Sequence, residues 1–549
     1  MKCPLVLSDE LLDVNCGHQA SSTHIGSVVG NFFMAIVVYM SMTQAVFSDS
    51  LVVTEEEIEK YERQQAAASK RWRNLWRVHF YSGIIVAPFL VMFAVTGFVI
   101  LYTQPIQDGL QSDLRRVDRG TVMVSFDEQA AMVEATLPDD PIVSMTPPRD
   151  SGASTVFGLD SGRSAYVNPY TGNFLGVDES QTTLVRWSNA LHGHLNNDSL
   201  KIPLPAVSAL WDGEKVMRDY VVGDLVLELA GTWLVILALT GLYLFWPRKS
   251  RESKSTANGK RMWSFRLSKT GRAKWRDLHA LPGAILFAML LFVAASGLPW
   301  STYWGPNFTA LANEISPNSW TDAPASSLGT KSDLDRLGNK INWNTGDIPV
   351  PSSYRPASGS DVPAPLSLDA VVKIAEMEKM KPNYTVNFPV NAEDDAGNPL
   401  YGSFTLSNSW PRKTSEARDV FIDQFSGATL GQQDVYGYGS VSRAVDTTVS
   451  IHMGTQWGVI SRILMTLTCV LTIWSVISAA VMFSKRRRKG TLGLPRRPSE
   501  VHLGRGLIVI AFVMGIVYPQ WGASALIILA FDKFVIQRNS PLKTVFGQR

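Results

Sequence analysis

The chain has 549 residues, with 51 Lys and Arg against 48 Asp and Glu, a formal charge of +3. Only 18% of residues are charged and 46% are hydrophobic, whereas soluble chains average about 25% charged. The near-neutral balance argues against nucleic-acid binding, which needs a clustered Lys/Arg surplus. Ordinary Gly and Pro usage excludes collagen-like and low-complexity classes. The three cysteines, Cys3, Cys16 and Cys469, lie outside the long polar segments. A disulfide framework, a Cys-based zinc site and a Cys-ligated iron–sulfur cluster are therefore not expected.

Residues 1–70 read as a leader or cytoplasmic segment whose true start is open. Ile25–Phe47 has no charge but is only moderately apolar. It is a weak membrane segment, a signal-like leader, or part of an over-long start ahead of Met40 and Met42, the last being favoured. Four apolar runs then reach bilayer length: Phe80–Tyr102, Leu225–Trp246, Leu278–Trp300 and Gly458–Phe483. The transmembrane segments are expected at 78–102, 223–247, 277–300 and 451–483. Buried helices of a large soluble protein are the bland alternative. Four runs that each end near Trp, Tyr or a basic cluster speak against it.

Lys70, Arg71, Arg73 and Arg77 precede the first span, a densely basic loop fills 248–276, and Lys485–Lys489 opens the basic loop 484–503. These segments should face the cytoplasm. The two long connections, 103–222 and 301–450, should face outward. The C-terminal hydrophobic segment, 504–537, is interrupted by Pro519. It is one kinked span or a short hairpin; the basic residues after it favour the hairpin.

The chain reads as a duplication. Trp76, His79, Gly83 and Ala94-Val95-Thr96-Gly97 match Trp275, His279, Gly283 and Ala294-Ala295-Ser296-Gly297, with equal His-to-Gly and His-to-Thr/Ser spacings. The outer segments match as well. The run from Ser125 resembles that from Ser367, and Ala165–Gly176 resembles Val420–Gly431. Each pair predicts a helix, strands and a Gly-centred hairpin turn.

Of eight histidines, His18, His24 and His502 receive no role. His79 and His279 open spans one and three at the cytoplasmic end. His192, His194 and His452 stand at the outer end, before spans two and four. Ionisable groups at membrane depth are expensive and usually functional. Zinc prefers four tight ligands in one cluster, and here no such cluster forms. Two neutral imidazoles from facing helices suit a haem iron held between them. Gly83 and Gly283, one turn after their histidines, leave room for a flat macrocycle or only permit close helix packing. The absence of C-x-x-C-H makes any haem non-covalent, b-type. One site would use His79 and His279, the other His192 and His452, dividing the bilayer into short electron hops. Arg77 and Arg276 would pair with propionates of the inner haem or act as positive-inside anchors; Arg462 is the counterpart at the outer haem. Asp224 and Glu228 would orient an outer histidine or pair with Arg462.

W-R-x-H-x-x-x-G opening span one, L-H-G before span two, L-H-x-x-x-G in span three and I-H-x-G before span four resemble the PepSY-associated transmembrane family from about Trp72 to Arg488. The outer segments resemble PepSY domains. The resemblance implies a mainly α membrane protein with a four-helix transmembrane core built from two repeats. Each repeat would carry an extracytoplasmic α+β PepSY-like domain, and a C-terminal hydrophobic hairpin or kinked helix would follow. It implies a bacterial inner-membrane, multi-pass protein with two periplasmic domains. The family includes siderophore-iron reductases, so the resemblance further implies two haem b groups and an enzyme reducing ferric siderophore or another ferric chelate. By the same resemblance, His79, His192, His279 and His452 are the axial-ligand candidates. The insertion after His192 leaves either it or His194 as the outer ligand. The electron donor, a quinol or a reductase partner, is not specified. A membrane-anchored PepSY regulator of the peptidase-inhibitor kind is the competing class, and a transporter is a weaker third. No H-E-x-x-H, G-x-S-x-G, Walker A or strand-linked G-x-G-x-x-G run is present.

Overall fold

The computed structural model describes residues 55–547 apart from 198, 206–216, 247–270, 319–327, 335–345, 347, 355–361, 395, 409–411, 488–489 and 496–504. Ile25–Phe47, His18, His24, Cys3, Cys16, His502 and most of the basic loop 248–276 lie outside the described residues. The chain divides into two compact units, Met1–Ala68 and Ser69–Arg549. The described part of the first is helical; everything below concerns the second.

The helices used here are α1 (Glu55–Leu101), α2 (Phe126–Thr136), α3 (Thr183–His194), α4 (Val222–Phe245), α5 (Gly271–Gly297), α6 (Trp304–Ile315), α7 (Leu368–Met377), α8 (Ser440–His452), α9 (Val459–Arg486), α10 (Arg505–Val517) and α11 (Pro519–Phe534). Among the described residues, five stretches are long and apolar enough to cross a membrane: Ala68–Leu101, Val222–Phe245, Gly271–Gly297, Val459–Arg486 and Pro519–Arg538. The chain is a multi-pass membrane protein. α1 starts well before the first apolar run because the stretch from Glu55 to Arg73 is rich in Glu, Gln, Ala, Lys and Arg, good helix formers.

The C-terminal segment is a helical hairpin. α10 and α11 meet at Tyr518–Pro519, with Pro519 at the first turn of α11, where its missing N–H is tolerated. Their backbones approach so closely that a Cβ on Gly522 would stand 3.0 Å from the Gly515 carbonyl oxygen. The hairpin lies against α4, where Trp521 packs against Trp233 with ring centroids 5.7 Å apart and planes tilted by 51°.

The connections outside the spans supply the strands. The first gives β1 (Ile142–Thr146), β2 (Thr155–Leu159), β3 (Arg163–Val167) and β4 (Phe174–Glu179), then β5 (Lys201–Pro205) and β6 (Met217–Val221). The second gives β7 (Tyr384–Asn387), the short β8 (Ala392–Glu393) and β9 (Pro399–Leu400), then β10 (Ser403–Asn408), β11 (Arg418–Asp423) and β12 (Thr429–Asp434). The sequence predicts one outer domain per connection. The two instead share one eight-stranded antiparallel sheet, ordered β12-β11-β10-β7-β1-β2-β3-β4. Its seam is β1 against β7, pairing Ser144 with Asn387 and Met145 with Val386. Pairing removes an exposed edge from each half. One core continues across the seam, including Met145, Phe157, Val371, Val386, Leu406 and Ile422.

The halves correspond element by element. α2 and α7 are capped by Ser125 and Ser367. The β3–β4 and β11–β12 turns each place a glycine at positive φ, Gly172 at 70° and Gly427 at 74°. β5 and β6 pair as a separate hairpin, so the insertion after His192 loops out.

Candidate functional site

Two histidine pairs form within the helical bundle. His79 on α1 and His279 on α5 have ring centroids 6.5 Å apart and planes crossed at 67°. His192, near the end of α3, and His452, at the end of α8, are 6.4 Å apart and crossed at 71°. The second pair is proximal to the sheet, since α3 and α8 directly follow β4 and β12, its two outermost strands.

Each ring is held through Nδ1 by a neighbouring helix. His79 Nδ1 lies 3.1 Å from the Leu237 carbonyl and 3.2 Å from the Thr240 hydroxyl, both on α4. His279 Nδ1 lies 3.1 Å from the Ser475 carbonyl and 3.1 Å from the Ser478 hydroxyl, both on α9. The three-residue spacing of carbonyl and hydroxyl is the same in both. A carbonyl only accepts, so Nδ1 carries a proton, and in the neutral ring Nε2 is then the nitrogen with the free lone pair. In the sheet-proximal pair, His192 Nδ1 meets the Thr96 hydroxyl at 2.8 Å and His452 Nδ1 meets the Ser296 hydroxyl at 2.7 Å. Thr96 and Ser296 stand seventeen residues after His79 and His279 on the same helices. That spacing is about 25 Å of helical rise, so the pairs lie at two levels. Burial pushes His192 down to about 4, with His452 beside it adding to the effect, and burial alone pushes His452 down to about 4. Both rings are neutral at pH 7, the form that ligates a metal.

The spacing fits one metal per pair. Two metal–nitrogen bonds of about 2 Å plus two ring radii of about 1.1 Å place centroids roughly 6 Å apart. Among the described residues no group of three or more His, Cys, Asp or Glu could hold a metal ion. Two imidazoles alone suit a metal that brings its own equatorial ligands, as haem iron does. The walls are apolar and close: Phe93 lies edge-on to His192 at 5.2 Å.

The glycines at the rings are Gly241 and Gly97. A Cβ on Gly241 would meet His79 Cε1 at 3.0 Å, and one on Gly97 would meet His192 Cε1 at 3.4 Å. Gly83 and Gly283 do not face the rings: a Cβ on Gly83 would touch Leu237 at 3.7 Å, and one on Gly283 would meet nothing within 4 Å.

Several predicted site residues have other partners. His194 pairs with Asp224 at 2.6 Å and is not opposite His452. Arg77 is buried and donates to the carbonyls of Pro495 at 3.1 Å and Phe546 at 3.0 Å and to the Tyr81 hydroxyl at 2.9 Å. It pins the α9–α10 loop and the C-terminal tail. Arg276 pairs with its neighbour Asp277 at 2.9 Å. Arg462 is exposed, one turn into α9. Glu228 accepts from the backbone N–H groups of Tyr303 (2.9 Å) and Trp304 (3.2 Å), capping the start of α6.

The sequence reading missed the residues that orient the rings. Thr96 and Ser296 entered it only as repeat markers, and Thr240 and Ser478 did not enter it. A hydroxyl at matching positions of two apolar spans was the available signal. It also missed Arg412, whose buried guanidinium meets Asp446 of α8 at 3.3 Å. That pair, with the Thr455 hydroxyl donating to the Arg412 carbonyl at 2.8 Å, ties the helix carrying His452 to the sheet.

A comparison with curated proteins finds no match. The family model described as the PepSY-associated TM region matches residues 76–486. That stretch holds both histidine pairs and every strand of the sheet, and the chain belongs to the PepSY-associated TM region family.

Proposed function

We propose that this protein binds two haem b groups, one between His79 and His279 and one between His192 and His452. It would carry electrons across the bacterial inner membrane and reduce a ferric chelate, such as a ferric siderophore, on the periplasmic side. The observation that carries this reading is the doubled geometry: two imidazole pairs with centroids at 6.5 Å and 6.4 Å, one carried by α1 and α5 and the other bonded to Thr96 and Ser296 further along the same two helices. The repeat organisation read from the sequence supports it, because the same spacing of hydroxyl and carbonyl holds the ring in each half.

Haem, when bound, supplies an iron that takes up and releases one electron. The chain's own residues do the rest. α1 and α5 carry His79 and His279, whose Nδ1 atoms α4 and α9 hold, while α3 and α8 carry His192 and His452, with Phe93 packed beside His192. The eight-stranded sheet, read as the two PepSY domains joined, lies over the sheet-proximal pair and would form the chelate-binding face. Reduction frees the metal because Fe(II) binds hard oxygen ligands more weakly than Fe(III). The basic segments at the other end support a cytoplasmic side there by the positive-inside rule. A quinol or a reductase partner would deliver the electrons there.

The test is haem stoichiometry by pyridine haemochromogen on protein purified from haem-replete cells, with ferric-chelate reduction assayed alongside. Two b-type haems per chain are expected. His79→Ala or His279→Ala should each leave one, and His192→Ala or His452→Ala should each remove the other. A colourless wild-type preparation overturns the reading.

A further inference from the structure

We propose that the hydroxyls of Thr96, Ser296, Thr240 and Ser478 are positioning residues that fix both the tautomer and the crossed planes of the imidazole pairs. The sheet-proximal pair depends on them more than the distal pair. The proposal rests on the haem reading and assigns how this chain tunes each site.

A hydroxyl has one proton to give. Thr96 donates it to the Met92 carbonyl at 2.7 Å, Ser296 to that of Val293 at 3.1 Å, Thr240 to that of Ile236 at 2.6 Å, and Ser478 to that of Ser475 at 3.0 Å. Each oxygen is left to accept from the imidazole Nδ1–H. A bond at Nδ1 fixes the ring's rotation about its own stem, and so its plane. It also makes Nε2 more basic, which favours the ferric over the ferrous iron.

The two levels differ in what remains when the hydroxyl is removed. His79 and His279 keep the Leu237 and Ser475 carbonyls. For His192 and His452, the hydroxyl is the hydrogen-bond partner at Nδ1. The sheet-proximal rings should therefore turn freely and lose basicity, while the distal rings change little.

Two readouts report this without any turnover. Crossed axial planes, at 67° and 71° here, give ferric bis-imidazole haem a strongly anisotropic EPR signal with a large maximum g; near-parallel planes give a rhombic one. The midpoint potential reports ligand basicity. The experiment is EPR of the oxidised full-length protein and a mediated redox titration, on wild type, Thr96→Val, Thr96→Ser and Thr240→Val.

The wild type should show large-g signals from both haems. In Thr96→Val the sheet-proximal signal should move toward the rhombic form. Its reduced-to-oxidised ratio at fixed poise should rise about tenfold, which is about 59 mV for a one-electron couple. Thr240→Val should shift the other haem by clearly less. Thr96→Ser, which keeps the hydroxyl, should match wild type. Loss of the sheet-proximal haem from Thr96→Val with retention in Thr96→Ser also assigns the hydroxyl. A rhombic wild type, unchanged potential and signal in Thr96→Val, or Thr96→Ser behaving like Thr96→Val would overturn the proposal. A colourless wild type is the separate failure of the haem reading.

Discussion

His192 and His194 are two residues apart on α3 and have unrelated partners. A helix turns about 200° over two residues, so one ring faces α8 and the other faces α4. His194 finds Asp224 at 2.6 Å. The close approach requires Gly223, where a Cβ would stand 2.0 Å from the His194 carbonyl oxygen. His194→Ala should therefore keep the full haem content of the wild type. It should lower stability by roughly 1–2 kcal/mol, the scale of a charge-assisted hydrogen bond in a partly exposed place. Thermal unfolding followed by haem absorbance measures both; loss of one haem would return His194 to the ligand set. Arg77 teaches a related lesson. A basic residue next to a candidate ligand reads as an anion partner, yet the carbonyls of Pro495 in the α9–α10 loop and Phe546 in the C-terminal tail, with the Tyr81 hydroxyl, already take its donors.

At the scale of elements, α2 and α7 exchange caps. The Asp127 carboxylate accepts from the backbone N–H of Leu368 at 2.9 Å, and the Asp369 carboxylate accepts from that of Phe126 at 3.1 Å. Each aspartate thus completes the first turn of the other half's helix, while Ser125 and Ser367 serve their own. The negative charge also suits the helix N-terminus. Asp127→Ala should cost about 1 kcal/mol, a typical cap value. Hydrogen exchange should place the fraying at the start of α7 in the other half. Fraying confined to α2 would refute the exchange. The equal Ser-x-Asp pattern, Ser125-Phe126-Asp127 and Ser367-Leu368-Asp369, was visible in the sequence. What it caps was not, because a local reading assigns an acidic first turn to its own helix.

For the whole molecule, the seam between β1 and β7 makes two sequence repeats one folded body. Val386, fully buried, pairs with Met145 across it. Val386→Ala removes buried methyl groups from a core shared by both halves. It should cost about 2 kcal/mol and raise hydrogen exchange in β2 as well as β10. A rise limited to β10 and β11 would mean that the halves unfold separately. The sequence by itself pointed to bilayer-length helices, to matching motifs in its two halves and to two sets of histidines. Apolar run length, residue spacing and basic flanks are properties of the chain alone, and bilayer thickness converts them directly into depth. Only the tertiary structure decided that the two connections share a sheet, that the ring facing His452 is His192, and that Thr96, Ser296, Thr240 and Ser478 hold the imidazoles. Those facts depend on which strand edges pair and how helices are rotated about their axes. Residues far apart in the chain settle both through packing, and no local pattern records the result.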